Sequence, residues 1–403
     1  MTEREFATDV VKRLQQAGYV ALFAGGCVRD EMLGLTPADY DVATSARPEE
    51  VQQLFRRTIS IGASFGVIEV IGPKDEAGEW LKVQVATFRS DGAYTDGRRP
   101  DSVTFSSPEE DAARRDFTIN GLFRDPVNEQ MYDYVGGQAD LQAKVLRAIG
   151  RAEERFSEDK LRILRAVRMA ARFELSVDAD SLDAAQRMAP QIKVVSPERI
   201  AEEWRKVLKH PTRGRGVRLL AEFGLLEPIL PEVNRDPAEW ERTCMAIGAL
   251  PPDASFELAF AALLRGVSPK AVTNLCKRLR LSNDELNRVV WLCTHRVSLV
   301  DAKNQPNSRL YPLVAMPGIG ELICLHEAEG NDALHVVELI HFCADAFDPL
   351  PLVTGDDLKA MGLKPGPLFK KLLDEIRALQ LDGHLKDRSE AEEKIRERLR
   401  ASQ

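Results

Sequence analysis

Between Phe23 and Thr44 the chain reads FAGGCVRDEMLGLTPADYDVAT. The apolar run Tyr19–Ala24 predicts a strand. Gly25 and Gly26 end it, Asp30–Leu33 continues as a short helix stopped at Gly34, and Tyr40–Ala43 predicts a second strand. Glycines at the start of a helix let backbone N–H groups come close to a phosphate chain, and Arg29 adds a fixed positive charge one turn on. Strand periodicity points Asp39 and Asp41 to one face and Tyr40 to the other. Neighbouring carboxylates raise each other's pKa unless a cation neutralises them, and Mg²⁺ ions shared with substrate phosphates supply that cation. A Gly-Gly turn alone is ordinary, and an acidic surface turn alone is too. Together in so short a stretch they point to metal-assisted nucleotidyl transfer.

The chain is 403 residues long, which predicts roughly two to four domains. No apolar run reaches the roughly 18–20 residues needed to span a bilayer, so no membrane partner is expected. The segment Met1–Gln15 is charged and amphipathic, unlike a signal peptide. The six cysteines are scattered, with no C-x-x-C pair, as in buried free thiols of a reducing, cytoplasmic protein. The six histidines share no motif and read as structural. A net charge of −8 argues against a protein that coats nucleic acid throughout, while leaving room for a local basic track.

Residues 3–17 predict an amphipathic helix, Pro48–Arg56 a helix capped near Ser45, and Val67–Ile71 and Leu81–Phe88 strands joined by the polar turn Pro73–Glu79. Arg89–Pro108 reads as a long loop holding Asp91, Tyr94, Asp96, Arg98 and Arg99. From about Glu153 strand candidates disappear. Helices are expected over 157–174, 178–189, 197–209, 213–224, 255–265, 268–280, 282–297, 332–347, 366–381 and 388–401. The fold class is therefore α+β, a small mixed sheet followed by helices only.

Two further segments carry site candidates. Arg114–Asn120 reads as the start of a helix, with Arg115 able to meet phosphate and Asp116 able to accept from a ribose hydroxyl. A bland helix start, with Asp116 serving the dipole, is a reasonable alternative on those residues alone. Glu158-Asp159-x-x-Arg162 opens another helix, with Arg162, Arg165, Arg168 and Arg172 along one face and no acid within 160–172. Asp159 and Arg162 are neighbours at i and i+3. A carboxylate beside a guanidinium can take the exocyclic amine of C or A while donating to the ring acceptors; uracil and guanine would present a carbonyl to the carboxylate. An intrahelical salt bridge on a solvated face is the usual reading of such a pair, but aligned arginines without counter-charges favour a binding role.

Taken in order, GGCVRD with DYD, RRDFTING, DYVGGQADL from Asp133, EDKLRILRAVRMAARF from Glu158 and PERIAEEWRKVL from Pro197 resemble the class II tRNA nucleotidyltransferases. This bacterial family of the polymerase-β superfamily holds CCA-adding enzymes and poly(A) polymerases. The resemblance is strong over roughly residues 20–210 and looser beyond. It implies a catalytic head over 1–145, then a helical neck over 146–212, body over 213–347 and tail over 348–403. It implies Mg²⁺ on Asp39 and Asp41, and a nucleotide held by Gly25, Gly26, Arg29, Arg115, Asp116, Asn120, Asp159, Arg162, Arg165 and Arg168. Asp159 and Arg162 would act as a protein template. The expected partners are CTP, ATP and the acceptor stem and 3′ end of tRNA; no DNA partner is expected.

The chain departs from the family pattern in two places. Gln84 stands where poly(A)-type relatives carry a glutamate, so metal binding is assigned to Asp39 and Asp41 alone. Arg265-Gly266 stands where some relatives carry the His-Asp of a phosphohydrolase, so no such activity is expected. In the tail, Lys364, Gly366, Lys370 and Lys371 surround a Gly-rich turn that could offer N–H groups and charge to RNA phosphates, or could merely pack. CC-only relatives lack the loop after Val83–Phe88, whereas Asp91–Pro100 is present here. CCA addition therefore ranks first, A-only second and CC-only third. Poly(A) polymerase ranks lower because Ile61–Gly66 replaces an Arg-rich segment, and a non-catalytic RNA-binding protein is the reading of a different class.

Overall fold

In a computed structural model the described residues are all except 63–65, 95–96, 98–99, 234, 343–346 and 402–403. Two compact units result, Met1–Pro231 and Glu232–Gln403.

The first unit opens with α1 (Glu3–Gln16), whose Thr2 cap and Glu5 form a reciprocal capping box and whose inner stripe buries Phe6, Val10, Val11 and Leu14. Then come β1 (Ala21–Ala24), α2 (Gly26–Met32), β2 (Asp41–Thr44), α3 (Pro48–Leu54), β3 (Thr58–Gly62), β4 (Val67–Lys74) and β5 (Trp80–Thr87). The mixed sheet has the order β3-β4-β5-β2-β1-β8-β9, its last strands being β8 (Leu122–Arg124) and β9 (Met131–Asp133). β2 runs antiparallel to β1 and parallel to β5, and α1 packs on β1, β2 and β5. Alternation along β5 buries Leu81, Val83 and Val85 and leaves Lys82 and Gln84 exposed.

Several local expectations shift. The first helix of the glycine turn starts at Gly26, four residues before the expected Asp30, because Gly25 already supplies the turn. α3 ends at Leu54 and follows Arg47, whose N–H donates to Glu50 Oε2 (2.7 Å), so Ser45 is not its cap. β3 was not expected. The loop after β5 is partly ladder: β6 (Arg89–Asp91) pairs antiparallel with β7 (Val103–Phe105). Of the polar residues assigned to it, Asp96, Arg98 and Arg99 lie outside the described residues.

The unit continues through α4 (Pro108–Ala113), α5 (Gly137–Gln142), α6 (Ala152–Glu158), α7 (Leu161–Arg172), α8 (Ala179–Met188), α9 (Pro197–Leu208) and α10 (Arg213–Glu222). The expected helix 157–174 is thus two helices broken at Asp159–Lys160. A two-residue parallel pairing, Val145–Leu146 with Ser176–Val177, persists where only helices were expected. α7 buries Ile163, Leu164, Val167 and Ala170 and packs against α9 and α10.

The second unit is helical among its described residues. Helices over Phe256–Leu263, Pro269–Arg278, Asn283–His295, Leu334–Phe342, Pro367–Leu381 and Arg388–Ala401 match expected ones, while Pro237–Ala249, Asn307–Val314, Ile319–Ala328 and Gly355–Ala360 are additional. Among the described residues no helix is long and apolar enough to cross a membrane.

Candidate active site

Gly25 sits at φ +72°, and its N–H donates to Leu122 O (2.9 Å), tying the turn between β1 and α2 to β8. The positive φ favours glycine, and a Cβ there would stand 2.5 Å from Arg115 Nη1, so a side chain would displace the tip of that guanidinium. Asp41 is the first residue of β2 and Asp39 lies just before it, so strand alternation does not by itself align the two. Both nevertheless line one cavity, with Gly25, Gly26, Arg29, Arg115, Asp116, Asn120, Asp159, Arg162, Arg165 and Arg168 among the other lining residues. Tyr40 turns the opposite way, is buried, and donates from its hydroxyl to Glu31 Oε1 (3.2 Å). Burial, reinforced by Asp39 and only partly offset by Arg115, pushes the Asp41 carboxyl up to about 6.

Arg29 is buried. Its Nε and Nη2 donate to Asp30 Oδ1 (2.8 and 2.6 Å), Nη1 donates to Asn120 Oδ1, and its guanidinium carbon lies 4.3 Å from the centre of the Phe173 ring. Burial pulls its pKa down against the opposing pull of Asp30. Its edge reaches the cavity, but the charge is already largely partnered.

The Arg114–Asn120 segment ends α4 rather than beginning a helix: Arg114 is the C-cap, and only Thr118–Asn120 makes a 3₁₀ turn. Arg115 donates to Asp111 Oδ2 from Nε (3.2 Å) and Nη2 (3.0 Å), and to Asn120 O from Nη1 (3.2 Å). Asp111 is buried and also binds Arg114 through Oδ1 (2.9 and 2.6 Å). Asp116 accepts from Phe117 N and Asn120 Nδ2 at Oδ1 (both 2.9 Å) and from Arg165 at Oδ2 (2.9 and 2.6 Å). Burial alone would raise the Asp116 carboxyl, but Arg165 and Asn120 outweigh it and hold it well below the usual carboxylate range.

Asp159, also lining the cavity, occupies the break between α6 and α7. It accepts from Leu161 N at Oδ1 (3.0 Å) and from Arg199 Nη1 and Nη2 at Oδ1 and Oδ2 (3.2 and 2.6 Å). Arg162 instead pairs with Glu158 and donates to Arg155 O (3.0 Å). The two intended base readers thus face one cavity with different partners. Nor are the α7 arginines without counter-charges. Arg165 meets Asp116 (2.6 Å), Arg168 meets buried Glu203 (2.7 Å) and Arg172 meets Asp30 (3.7 Å), each acid coming from another element.

The cavity, about 630 Å³, is therefore lined by the carboxylates of Asp39 and Asp41 together with arginines from α2, α4's exit, α7 and α9. Among the described residues no group of three His, Cys, Asp or Glu could hold a metal ion, so a cation at Asp39 and Asp41 would need oxygen ligands from a substrate as well. That suits a hard divalent cation, which is commonly bound by one or two carboxylates plus substrate phosphates. Sequence reasoning missed Asp30, Asp111, Arg199 and Glu203. Arg199 and Glu203, one turn apart on α9, lay within the PERIAEEWRKVL segment; nothing local marked their partners. In the second unit Lys364, Gly366, Lys370 and Lys371 are all exposed around the start of the helix Pro367–Leu381.

Residues 21–147 match the poly A polymerase head domain, and 174–236 match the probable RNA and SrmB-binding site of polymerase A. A CCA-adding enzyme of Streptococcus mutans is 33% identical, over 97% of this chain and 96% of its own. One from Lactiplantibacillus plantarum is 37% identical, over 92% and 90% respectively. The crystal structure of the Bacillus stearothermophilus CCA-adding enzyme in complex with CTP superposes with a TM-score of 0.79 at 28% identity, covering 100% of both chains. The fold and the near-full-length identity agree, and the chain belongs to the CCA-adding enzyme family.

Proposed function

We propose that this protein adds CMP, CMP and AMP to the 3′ end of tRNA from CTP and ATP without a nucleic-acid template, releasing pyrophosphate at each step. The observation that carries this is the single cavity joining Asp39 and Asp41 to Asp159 and Arg162. A nucleoside triphosphate spanning it would place phosphates by the carboxylates and the base by α7. Mg²⁺ held by Asp39, Asp41 and the phosphates supplies charge neutralisation for an in-line displacement. The tRNA 3′-hydroxyl attacks the α-phosphate, and the α–β bond breaks. Gly26, the first residue of α2, offers its backbone N–H to the triphosphate, Gly25 supplying the turn with its own N–H on Leu122 O, and Arg29 and Arg115 stand behind them. Asn120 faces the ribose side, held there by Asp116, whose acceptor positions are already filled by Phe117 N, Asn120 and Arg165; Asp159 and Arg162 read the base edge, and Arg165 and Arg168 keep the wall positive.

The division into head, neck, body and tail at 145, 212 and 347 belongs to this reading, as does tRNA contact at Lys364, Gly366, Lys370 and Lys371. So does a cytoplasmic location, supported by buried thiols such as Cys27, which burial pushes up to about 12. A-only addition is the second reading.

The test is incorporation with Mg²⁺ and single nucleotides on tRNAs ending before CCA, after C and after CC. CCA addition requires C on the first two and A on the third. A added only to the CC-ended tRNA makes the protein an A-only enzyme. A long A tail on generic RNA makes it a poly(A) polymerase, and no incorporation anywhere leaves an RNA-binding protein. Asp159→Ala should relax base choice more than it slows transfer.

A further inference from the structure

Asp159 is held from outside its own helix. Arg199, in the first turn of α9, grips both carboxylate oxygens as a fork, and Leu161 N takes one further position on Oδ1. An ionised carboxylate offers about four acceptor positions. Three are used here, which leaves one on Oδ2, and the carboxylate lines the cavity. Arg162 is held apart by its own partners, Glu158 and the carbonyl of Arg155.

Without Arg199 the carboxylate keeps only Leu161 N among its described hydrogen-bond partners, and from the break before α7 it is free to turn and pair with Arg162 in the first turn of that helix. That pair would consume the acceptor and the donor that a base edge needs. We propose that Arg199 is a specificity-determining positioning residue, which holds Asp159 with one lone pair presented to the exocyclic amine of cytosine or adenine and keeps it off Arg162. This rests on the base-reading role of Asp159 stated above. Only a fork can do this, because a lysine provides a point charge that would fix the position of the carboxylate but not its plane.

The experiment measures kcat and KM for CTP, ATP, UTP and GTP on tRNAs awaiting C or A, in wild type, Arg199→Ala, Arg199→Lys, Asp159→Ala and the double variant Asp159→Ala/Arg199→Ala. Arg199→Ala should cut the preference for CTP over UTP by about tenfold or more, chiefly through KM, because binding to the exocyclic amine is what is lost. Arg199→Lys should fall between. The double variant should match Asp159→Ala alone, since Arg199 acts through Asp159. A purely structural Arg199 would lower activity on all nucleotides alike with preference unchanged, and that result overturns the proposal. If Asp159→Ala loses preference while Arg199→Ala keeps it, the inference fails and the base-reading role stands. If neither loses it, the base-reading role itself is wrong. Thermal melts identify a variant that fails to fold; Arg199→Lys then decides, and a preference equal to wild type in that variant also overturns the proposal.

Discussion

Arg115 occupies the space that a side chain on Gly25 would need: its Nη1 is 2.5 Å from where the Cβ would be. The glycine turn and the arginine are far apart in sequence, yet each fixes the other. Gly25 holds φ +72° with its N–H on Leu122 O, while Arg115 is braced by Asp111 and stacks 5.0 Å from the centre of the Phe123 ring. The turn proposed to cradle the triphosphate and the guanidinium proposed to neutralise it thus form one packed unit.

Gly25→Ala therefore strains the backbone and displaces Arg115 together. We expect a stability loss of about 1–3 kcal/mol, from the left-handed conformation and the overpacked contact. A rise in KM for both CTP and ATP should accompany it. Thermal melts and steady-state kinetics on one preparation check this. A wild-type KM for both nucleotides would show that Arg115 does not act from this position.

Arg165→Met tests the other wall of the cavity. Its partner Asp116 is buried and held well below the usual carboxylate range, so the pair contributes stability above the unfolded carboxyl pKa and loses it as pH falls through the folded one. Removing Arg165 leaves Asp116 without its main cation. The expected cost at pH 7 is roughly 1–3 kcal/mol, below the value for a fully buried pair because the Arg165 side chain is partly exposed. In the variant Asp116 can relieve its burial by protonating, so the deficit should shrink toward pH 5. Denaturant melts at both pH values read this directly; a deficit independent of pH would contradict the assigned ion pair.

What was legible in the chain is what neighbours along the sequence decide. Gly25-Gly26 after an apolar run, Tyr40 flanked by two aspartates, and the stripe of α7 are local facts, and each lies close to where expected. Counter-charges are not local. Residues 160–172 hold no acid, but Asp116, Glu203 and Asp30 reach α7 from α4's exit, α9 and α2. β3 went unread because its place in the sheet comes from pairing with β4, Ile59 opposite Glu69, not from a buried apolar face of its own. The helix Ile319–Ala328 is mostly apolar without a polar stripe, so periodicity gave no mark. Pro237–Ala249 did carry a visible start: Asp236 caps it by accepting from Ala238 N (3.1 Å) and Glu239 N (3.2 Å), with proline at the first position.

Asp41 allows a test of the metal site that does not depend on turnover. Its carboxyl is pushed up to about 6 from the ordinary 3.8, by burial first and by Asp39 second. With the folded value above the unfolded one, the ionised group works against the fold: the penalty is absent below about 4, grows through the interval and is complete above about 6. Asp41→Asn removes that charge while keeping the shape. In cation-free buffer the variant should be more stable than wild type at pH 7.5, by roughly 1–3 kcal/mol, and equal to it near pH 4. Adding Mg²⁺ should raise the melting temperature of wild type at pH 7.5 and have much less effect at pH 5, where protons compete for the same oxygens. Asp41→Asn should lose most of that Mg²⁺ response at both pH values. Equal cation-free melting temperatures at pH 7.5 would mean that Asp41 carries no electrostatic strain, and an undiminished Mg²⁺ shift in the variant would place the ion elsewhere.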